Sequence, residues 1–259
     1  MRMKKLWIAA LFLAIGGSVV EAQTHGAEPI EIPLRFEGGH LIVPVEASDG
    51  TQLEFIVSTG SGATVLSEST AALLGDHAIL TLGGVPVPTE ETHTTSDESL
   101  TTDGKSADGM IGSNTLNQFD VLVDVPGQRL VLKPIGRSVE WEGMTLSDPV
   151  RVRVMHGLLI ALDVELNGSA YKGMLDLGMP SLLVNEPVKT AAGIDDDDVV
   201  TLGLGVVTLP DLPVEVSDHP LFAAWDPGNN GFVVVGAAMV KNCALSISWV
   251  HREIRTCVR

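Results

Sequence analysis

The segment Leu53–Ser67 reads LEFIVSTGSGATVLS, which is an apolar run, a small polar tripeptide and a second apolar run. The same pattern returns 118 positions later (171 − 53) in Tyr171–Asn185, which reads YKGMLDLGMPSLLVN. Self-similarity at a fixed offset is the signature of a repeated structural unit. The sequence therefore predicts two copies of one fold in a single chain.

Each copy continues with further matched motifs. Met110–Gly112 (MIG) corresponds to Val234–Gly236 (VVG), and the strand-like Phe119–Asp124 corresponds to Cys243–Ser248. Both pairs lie 124 positions apart, so the offset has grown by only six residues since the first motif (124 − 118). The two copies are therefore expected to differ in loop length and to share one plan.

Turn residues predict the fold class. Short apolar runs alternate with Gly, Pro, Asp-Gly and Asn-Gly pairs, and long segments with a helical period are scarce. This pattern is typical of an all-β chain built from hairpins. We assign residues 27–134 to an N-terminal lobe, 135–147 to a connection and 148–259 to a C-terminal lobe.

The first 22 residues resemble a secretory signal peptide. Arg2, Lys4 and Lys5 precede an apolar stretch from Leu6 to Ile15, and small residues follow around Ala22. The alternative is an N-terminal membrane anchor, but the apolar stretch is short for a span of ~20 residues. We expect a periplasmic or secreted protein with no stable membrane insertion after cleavage.

Charge and cysteine content restrict the partners and the compartment. The chain has 33 acidic and 16 basic residues, a net charge of −17, which repels nucleic acid and anionic membranes. We expect a monomer without a nucleic-acid partner. Its two cysteines, Cys243 and Cys257, lie in adjacent predicted strands. An exported chain favours a hairpin disulfide between them, and two free buried thiols are the alternative.

The repeated motifs resemble the aspartic peptidase family that includes the retropepsins and the pepsins. In that family an apolar-apolar-Asp-Thr/Ser-Gly motif is followed by an apolar-apolar-Gly motif, as in Ile56–Gly60 with Met110–Gly112 and in Met174–Gly178 with Val234–Gly236. The resemblance extends from about Ile30 to Val258. It implies two β-barrel lobes with a cleft between them, where two carboxylates share a proton and activate a water molecule.

This sequence departs from the family pattern at the catalytic positions. Ser58 stands where the first catalytic Asp is expected, whereas Asp176 retains the second. Leu177 replaces the hydroxyl residue that follows the second Asp, so Thr59 can link the two active-site loops in one direction only. Met179 replaces a small residue. Without a like charge beside it, Asp176 is expected to be an ordinary ionised carboxylate.

The resemblance also implies which residues would contact a substrate. Thr59 and Gly60 in the first copy, with Leu177 and Gly178 in the second, would line the cleft beside Ser58 and Asp176. Glycine hairpin tips, Gly83-Gly84 and the segment Leu202–Val206, occupy the positions of flaps that close over substrate in the family. No cofactor or metal is expected. The polar segment Thr89–Lys105 is predicted to be a mobile surface loop.

Three functions are compatible with these residues. The first is an exported pseudo-peptidase that binds an extended peptide in its cleft by strand addition, since losing one acid–base group typically costs ~10²–10⁴ in rate. The second is a weak aspartic endopeptidase that uses Asp176. The third is a non-enzymatic interaction protein with a partner surface elsewhere.

Two rescues of catalysis and one metal site remain as alternatives. Ser58 could act as a nucleophile with Asp176 as its base, although a carboxylate is a poor base for a hydroxyl group. Asp108 or Asp103 could supply the missing carboxylate, although both precede glycines as turn residues do. The acidic run Asp195–Asp198 could bind calcium, but it lacks the ligand spacing of a calcium loop and favours a solvated turn.

Overall fold

The computed structural model describes residues 28–75, 79–88, 92–102, 105–136, 139–195, 199–218, 220–226, 228 and 230–257. The predicted signal peptide, Asp103 and residues 196–198 of the acidic run lie outside this part of the chain. Within it, no helix is long and apolar enough to cross a membrane.

In the N-terminal half, the structure has the strands β1 (Ile30–Pro33), β2 (Arg35–Glu37), β3 (His40–Ala47), β4 (Gln52–Val57), β5 (Val65–Ser67), β6 (Leu80–Leu82), β7 (Val85–Val87), β8 (His93–Thr95), β9 (Thr101–Thr102), β10 (Lys105–Ser106), β11 (Gly109–Ile111), β12 (Phe119–Asp124) and β13 (Arg129–Pro134). Its helices are α1 (Glu68–Leu74), α2 (Ser113–Leu116) and a 3-10 helix, Asp97–Leu100.

In the C-terminal half, the strands are β14 (Val150–Arg151), β15 (Arg153–Met155), β16 (Leu159–Leu166), β17 (Ser169–Leu175), β18 (Leu182–Val184), β19 (Val199–Leu204), β20 (Val207–Val216), β21 (Phe232–Val235), β22 (Ala244–Ser248) and β23 (Glu253–Thr256). Its helices are α3 (Glu186–Ala192), α4 (Pro220–Trp225) and a 3-10 helix, Ala237–Val240. Strands dominate both halves, so the prediction of an all-β chain is confirmed.

One sheet joins the two halves. Its strand order is β1-β13-β12-β22-β23-β14, and β12 pairs with β22 antiparallel. At the centre of this pairing Leu122 lies opposite Ser246, and these two positions are equivalent in the duplication because they are 124 residues apart. The predicted final hairpin of each lobe therefore forms and also contacts the other lobe. The two hairpins pair across the halves and form a shared sheet.

Each half also has a sheet of its own, which is closed into a barrel in the C-terminal half and open in the described residues of the N-terminal half. In the C-terminal half, β16, β17, β21, β18, β20 and β19 are paired in that order, and β19 closes the barrel by pairing with β16. In the N-terminal half, β7 pairs with β6 and β8 pairs with β5. These two pairings correspond to those of the single strand β20 in the C-terminal half, whose start pairs with β19 and whose end pairs with β18. The strand equivalent to β20 is thus in two pieces, and residues 89–91 between them lie outside the described part.

Two further features stabilise the shared sheet. The connection between the halves packs Trp141, Met144 and Leu146 on its outward face, and the Trp141 indole donates a hydrogen bond of 2.7 Å to Ser246 Oγ. Cys243 and Cys257 form a disulfide across the β22–β23 hairpin, with their Cα atoms 5.6 Å apart. The predicted disulfide is therefore present.

The polar segment Thr89–Lys105, predicted to be a mobile surface loop, contains secondary structure in its described residues. Its described residues include β8, the 3-10 helix Asp97–Leu100 and β9, and Leu100 is only 3% exposed. The backbone amide of Ala107 donates to the carbonyl of Leu100 at 3.0 Å, and this bond helps to hold the Leu100 side chain in its buried position. A single apolar residue in a polar run gives no periodic signal, so the sequence did not predict these short elements.

Candidate functional site

Ser58 and Asp176 occupy equivalent places at the ends of equivalent strands. β4 ends at Val57 and lies parallel to β11, and the Ser58 amide donates to the carbonyl of Ile111 at 2.9 Å. In the same way β17 ends at Leu175 beside β21, and the Asp176 amide donates to the carbonyl of Val235 at 3.0 Å. The duplication therefore places both side chains at one junction between the halves, and we call this pair the dyad.

The dyad is a hydrogen-bonded pair that is almost wholly buried. Ser58 Oγ donates to Asp176 Oδ1 at 2.9 Å, and the two residues are 1% and 4% exposed. The same carboxylate oxygen accepts the backbone N–H groups of Gly60 at 3.0 Å and Gly178 at 2.9 Å. Three donors from both halves thus converge on one oxygen atom, and charge-assisted bonds of this kind are the strong ones.

The Ser58 hydroxyl group is itself held in place. Its oxygen accepts the backbone N–H groups of Gly60 at 3.2 Å and Ser61 at 3.1 Å while it donates to Asp176. A hydroxyl offers one donor and two acceptor positions, so these bonds use its full capacity. This geometry describes a structural hydrogen-bond centre and gives no support to Ser58 as a nucleophile.

Thr59 links the two halves beside the dyad. Its hydroxyl donates to the carbonyl of Leu175 at 2.9 Å and accepts the amide of Leu177 at 3.1 Å, and its carbonyl accepts the Ser113 hydroxyl at 3.0 Å. Leu177 has no hydroxyl with which to form the reciprocal bonds, and its side chain is buried in the main core. The link between the loops therefore runs in one direction, from Thr59.

Two glycines allow the backbone to approach the dyad closely. A β-carbon at Gly60 would lie 2.1 Å from Asp176 Cγ, and one at Gly178 would lie 2.8 Å from Ser58 Oγ. Neither distance is compatible with a side chain unless the dyad moves. Glycine is therefore required here by space.

Gly60→Ala is expected to lower the free energy of unfolding by about 2–3 kcal/mol, because the added methyl group overpacks a rigid buried site. Gly62→Ala is the matched control, since a β-carbon there would lie 3.4 Å from Leu158 Cδ1, an ordinary contact. Urea unfolding of both variants measures the difference. Equal stability of the two would contradict the close approach at Gly60.

The predicted flap glycines lie elsewhere. Gly83 and Gly84 form the β6–β7 hairpin tip, and a β-carbon at Gly83 would lie 2.8 Å from the Ile32 side chain of β1. Gly205, at the equivalent tip of the C-terminal half, faces Val150 of β14 in the same way. Both tips thus pack against the outer strands of the shared sheet, whereas the resemblance implies that they lie over the dyad as flaps.

Asp108 does not supply a second carboxylate to the dyad. Its Oδ2 accepts the backbone N–H of Glu54 at 2.7 Å, and its Oδ1 accepts the Thr70 hydroxyl at 3.5 Å. Glu54 lies four strand residues before Ser58, about 13 Å away at ~3.3 Å per residue. The prediction of a rescue by Asp108 is therefore wrong, because this carboxylate joins β4 to helix α1. Asp103 lies outside the described residues.

The described residues form two cavities of about 380 Å³, and neither is lined by Ser58 or Asp176. The first is lined by apolar residues that include Ile42 and Leu100 and by the ion pair of Lys105 with Glu54, a carboxylate that also contacts Arg35. The hydrogen bond from Lys105, followed by that from Arg35, lowers the pKa of Glu54. The second lies between Phe36 of the N-terminal half and the Pro210–Pro213 segment.

The described residues contain no cluster of three or more His, Cys, Asp or Glu side chains that could hold a metal ion. Comparison of the sequence with protein-family models and with curated proteins gave no match. Function must therefore be argued from the duplication and from the geometry of the dyad.

Proposed function

We propose that this chain is an exported, aspartic-peptidase-like protein that has lost peptide-bond hydrolysis and retains peptide binding between its two lobes. The observation that carries the proposal is the hydrogen bond of 2.9 Å from Ser58 Oγ to Asp176 Oδ1. Two equivalent strand ends meet there, and they bring together one carboxylate and one hydroxyl where the resembled family has two carboxylates.

The assignment to this fold family is supported by the duplicated architecture. Each half places its dyad residue after a strand that lies parallel to its apolar-apolar-Gly strand, β4 with β11 and β17 with β21. The central pairing of the shared sheet joins equivalent positions of the two halves. This is the pairing expected when a twofold axis relates the halves. Fold resemblance by itself does not establish activity, so the chemistry must come from the dyad.

The chemistry favours loss of hydrolysis. The family mechanism needs one carboxylate to remove a proton from water while its partner supplies one. Ser58 cannot exchange a proton near neutral pH, and Asp176 Oδ1 is already the acceptor of three hydrogen bonds. Removing one member of a group that acts as a unit can cost nearly all of its catalytic effect.

Cleavage of an unfolded protein substrate between pH 3 and pH 7 tests this proposal. The native chain and Asp176→Asn are expected to give the same background rate across this range, with an active aspartic peptidase assayed in parallel as the positive control. Acid-dependent cleavage by the native chain that Asp176→Asn abolishes would overturn the proposal in favour of a weak endopeptidase. Peptide binding is a separate property and is measured by the experiment described below.

A further inference from the structure

The apolar surface next to the dyad is formed by two residue pairs. Ile56 precedes Ser58 by two residues and Met174 precedes Asp176 by two, so each points to the same side of its strand as its dyad residue. Ile56 pairs with Met110, and Met174 pairs with Val234. We call these four residues the dyad face.

In the N-terminal half, the chain covers this face with its own segment. Leu100 and Ala107 form a buried cluster with Ile42 and Ile56, and Met110 packs against it. The covering segment is tied down by its own hydrogen bonds. Asp97 accepts the Ser69 amide at 3.1 Å on Oδ1 and the Ser106 hydroxyl at 2.6 Å on its carbonyl.

In the C-terminal half, a different segment does the same. Phe222 of helix α4 forms a buried cluster with Met174, Leu183, Phe232 and Val234, and its ring meets that of Phe232 edge-on at 6.5 Å. Trp225, one turn further along the helix, packs against the same cluster. Val234 beneath them is completely buried.

The two covers are unrelated in sequence and structure, yet they occupy equivalent places. One is a 3-10 helix with a short hairpin and the other an α-helix, and each directly precedes the apolar-apolar-Gly strand of its half. Two different segments cover the same face, which indicates that this face has to be kept from solvent. With its covers removed, this face would be an exposed apolar patch, and such patches are typically binding surfaces.

We propose that these two segments are built-in covers that control access to the dyad face, so that a peptide reaches it only when a cover moves aside. The inference rests on the proposed peptide binding for its purpose. The covers themselves can be tested without any peptide. Local opening of a surface segment requires less free energy than global unfolding, so a cover can move while the sheets of both halves stay folded.

A single reporter cysteine tests the cover of the C-terminal half. Both native cysteines are in the disulfide, so Val234→Cys introduces the only free thiol. Its alkylation rate is measured in the mature chain, and then with Phe222→Ala added. We expect Phe222→Ala to raise the rate by roughly tenfold or more while urea unfolding shows the chain still folded.

Phe119→Ala is the matched control, because Phe119 packs against the main core from the shared sheet. It should leave the thiol protected. If Phe222→Ala prevents folding, Phe222→Leu replaces it and should give a smaller increase in the same direction. Rapid alkylation of the thiol in the chain with Phe222 intact would overturn the inference, as would an equal increase from Phe119→Ala.

Peptide binding is then measured by fluorescence anisotropy with a labelled statine-containing hexapeptide. Phe222→Ala, without the reporter, should bind this probe about tenfold more tightly than the native chain, a difference of ~1.4 kcal/mol. If Phe222→Ala exposes the thiol but no variant binds the probe, the cover is supported and the proposed peptide binding is refuted. Equal probe affinity in the native chain and Phe222→Ala would refute control by the cover.

Discussion

Asp176→Ala is expected to lower the free energy of unfolding by about 3–5 kcal/mol, because it removes the shared acceptor of three donors. The Ser58 hydroxyl and the amides of Gly60 and Gly178 all point to Asp176 Oδ1 from buried or half-buried positions. Each buried donor left without a partner costs about 1–3 kcal/mol. Two of the donors come from the opposite half, so the loss should also weaken the contact between the halves.

Urea unfolding of the mature chain with its disulfide intact measures this effect. Asp176→Asn keeps a carbonyl oxygen at the same place and should lose less than half as much stability. Asp163→Ala serves as the surface control, since Asp163 forms exposed ion pairs with Arg153 and Lys172 and such pairs contribute ~0–1 kcal/mol. If Asp176→Ala unfolds within 1 kcal/mol of the native chain, the dyad is not the stabilising centre that its geometry describes.

Ser58→Asp is expected to make stability strongly dependent on pH. The new carboxyl group would face Asp176 at hydrogen-bond distance in a buried site. Like charge and burial then raise the pKa of one carboxyl of the folded pair above its unfolded value of about 4. The folded variant therefore holds a proton that its unfolded chain has released, and its stability falls as pH rises from about 4.

At pH 7 this variant should be less stable than the native chain by about 4 kcal/mol. This difference corresponds to a rise of roughly three units in the pKa of one carboxyl group of the folded pair. Below pH 4 the difference should shrink to the cost of the altered shape alone. Ser58→Asn, which is neutral and similar in size to Asp, should show no such trend. Parallel unfolding curves from pH 3 to pH 7 give the comparison, and equal pH profiles for the two variants would show that the positions are not coupled.

These expectations explain what serine does at position 58. A second carboxylate would have to keep a proton at neutral pH, and it would destabilise the site whenever that proton was lost. A hydroxyl donates to Asp176 at every pH and needs no proton from the solvent. Serine at position 58 thereby avoids a second carboxylate at the junction between the halves.

Local patterns in the sequence determined several features that the structure contains. The alternation of apolar residues and the turn pairs indicated an all-β chain, because strand and hairpin preferences are encoded over a few residues. The constant offset predicted that Ser58 and Asp176 are equivalent positions. The position of Cys243 and Cys257 in adjacent predicted strands, together with the expectation of an exported chain, favoured the disulfide that the structure contains.

Only the tertiary structure decided how these parts meet. Pairing of β12 with β22 joins residues that are 120 to 128 positions apart, and no local pattern specifies which of several similar strands a sheet edge selects. The sequence around Gly83 is compatible with a flap or with a turn that packs on a sheet, and in the structure Gly83 packs closely against Ile32. Leu100 and Phe222 cover the dyad face through contacts distant in sequence. Such placement follows from the burial of apolar surface, which has no direction of its own, so the local sequence does not specify which surface each segment covers.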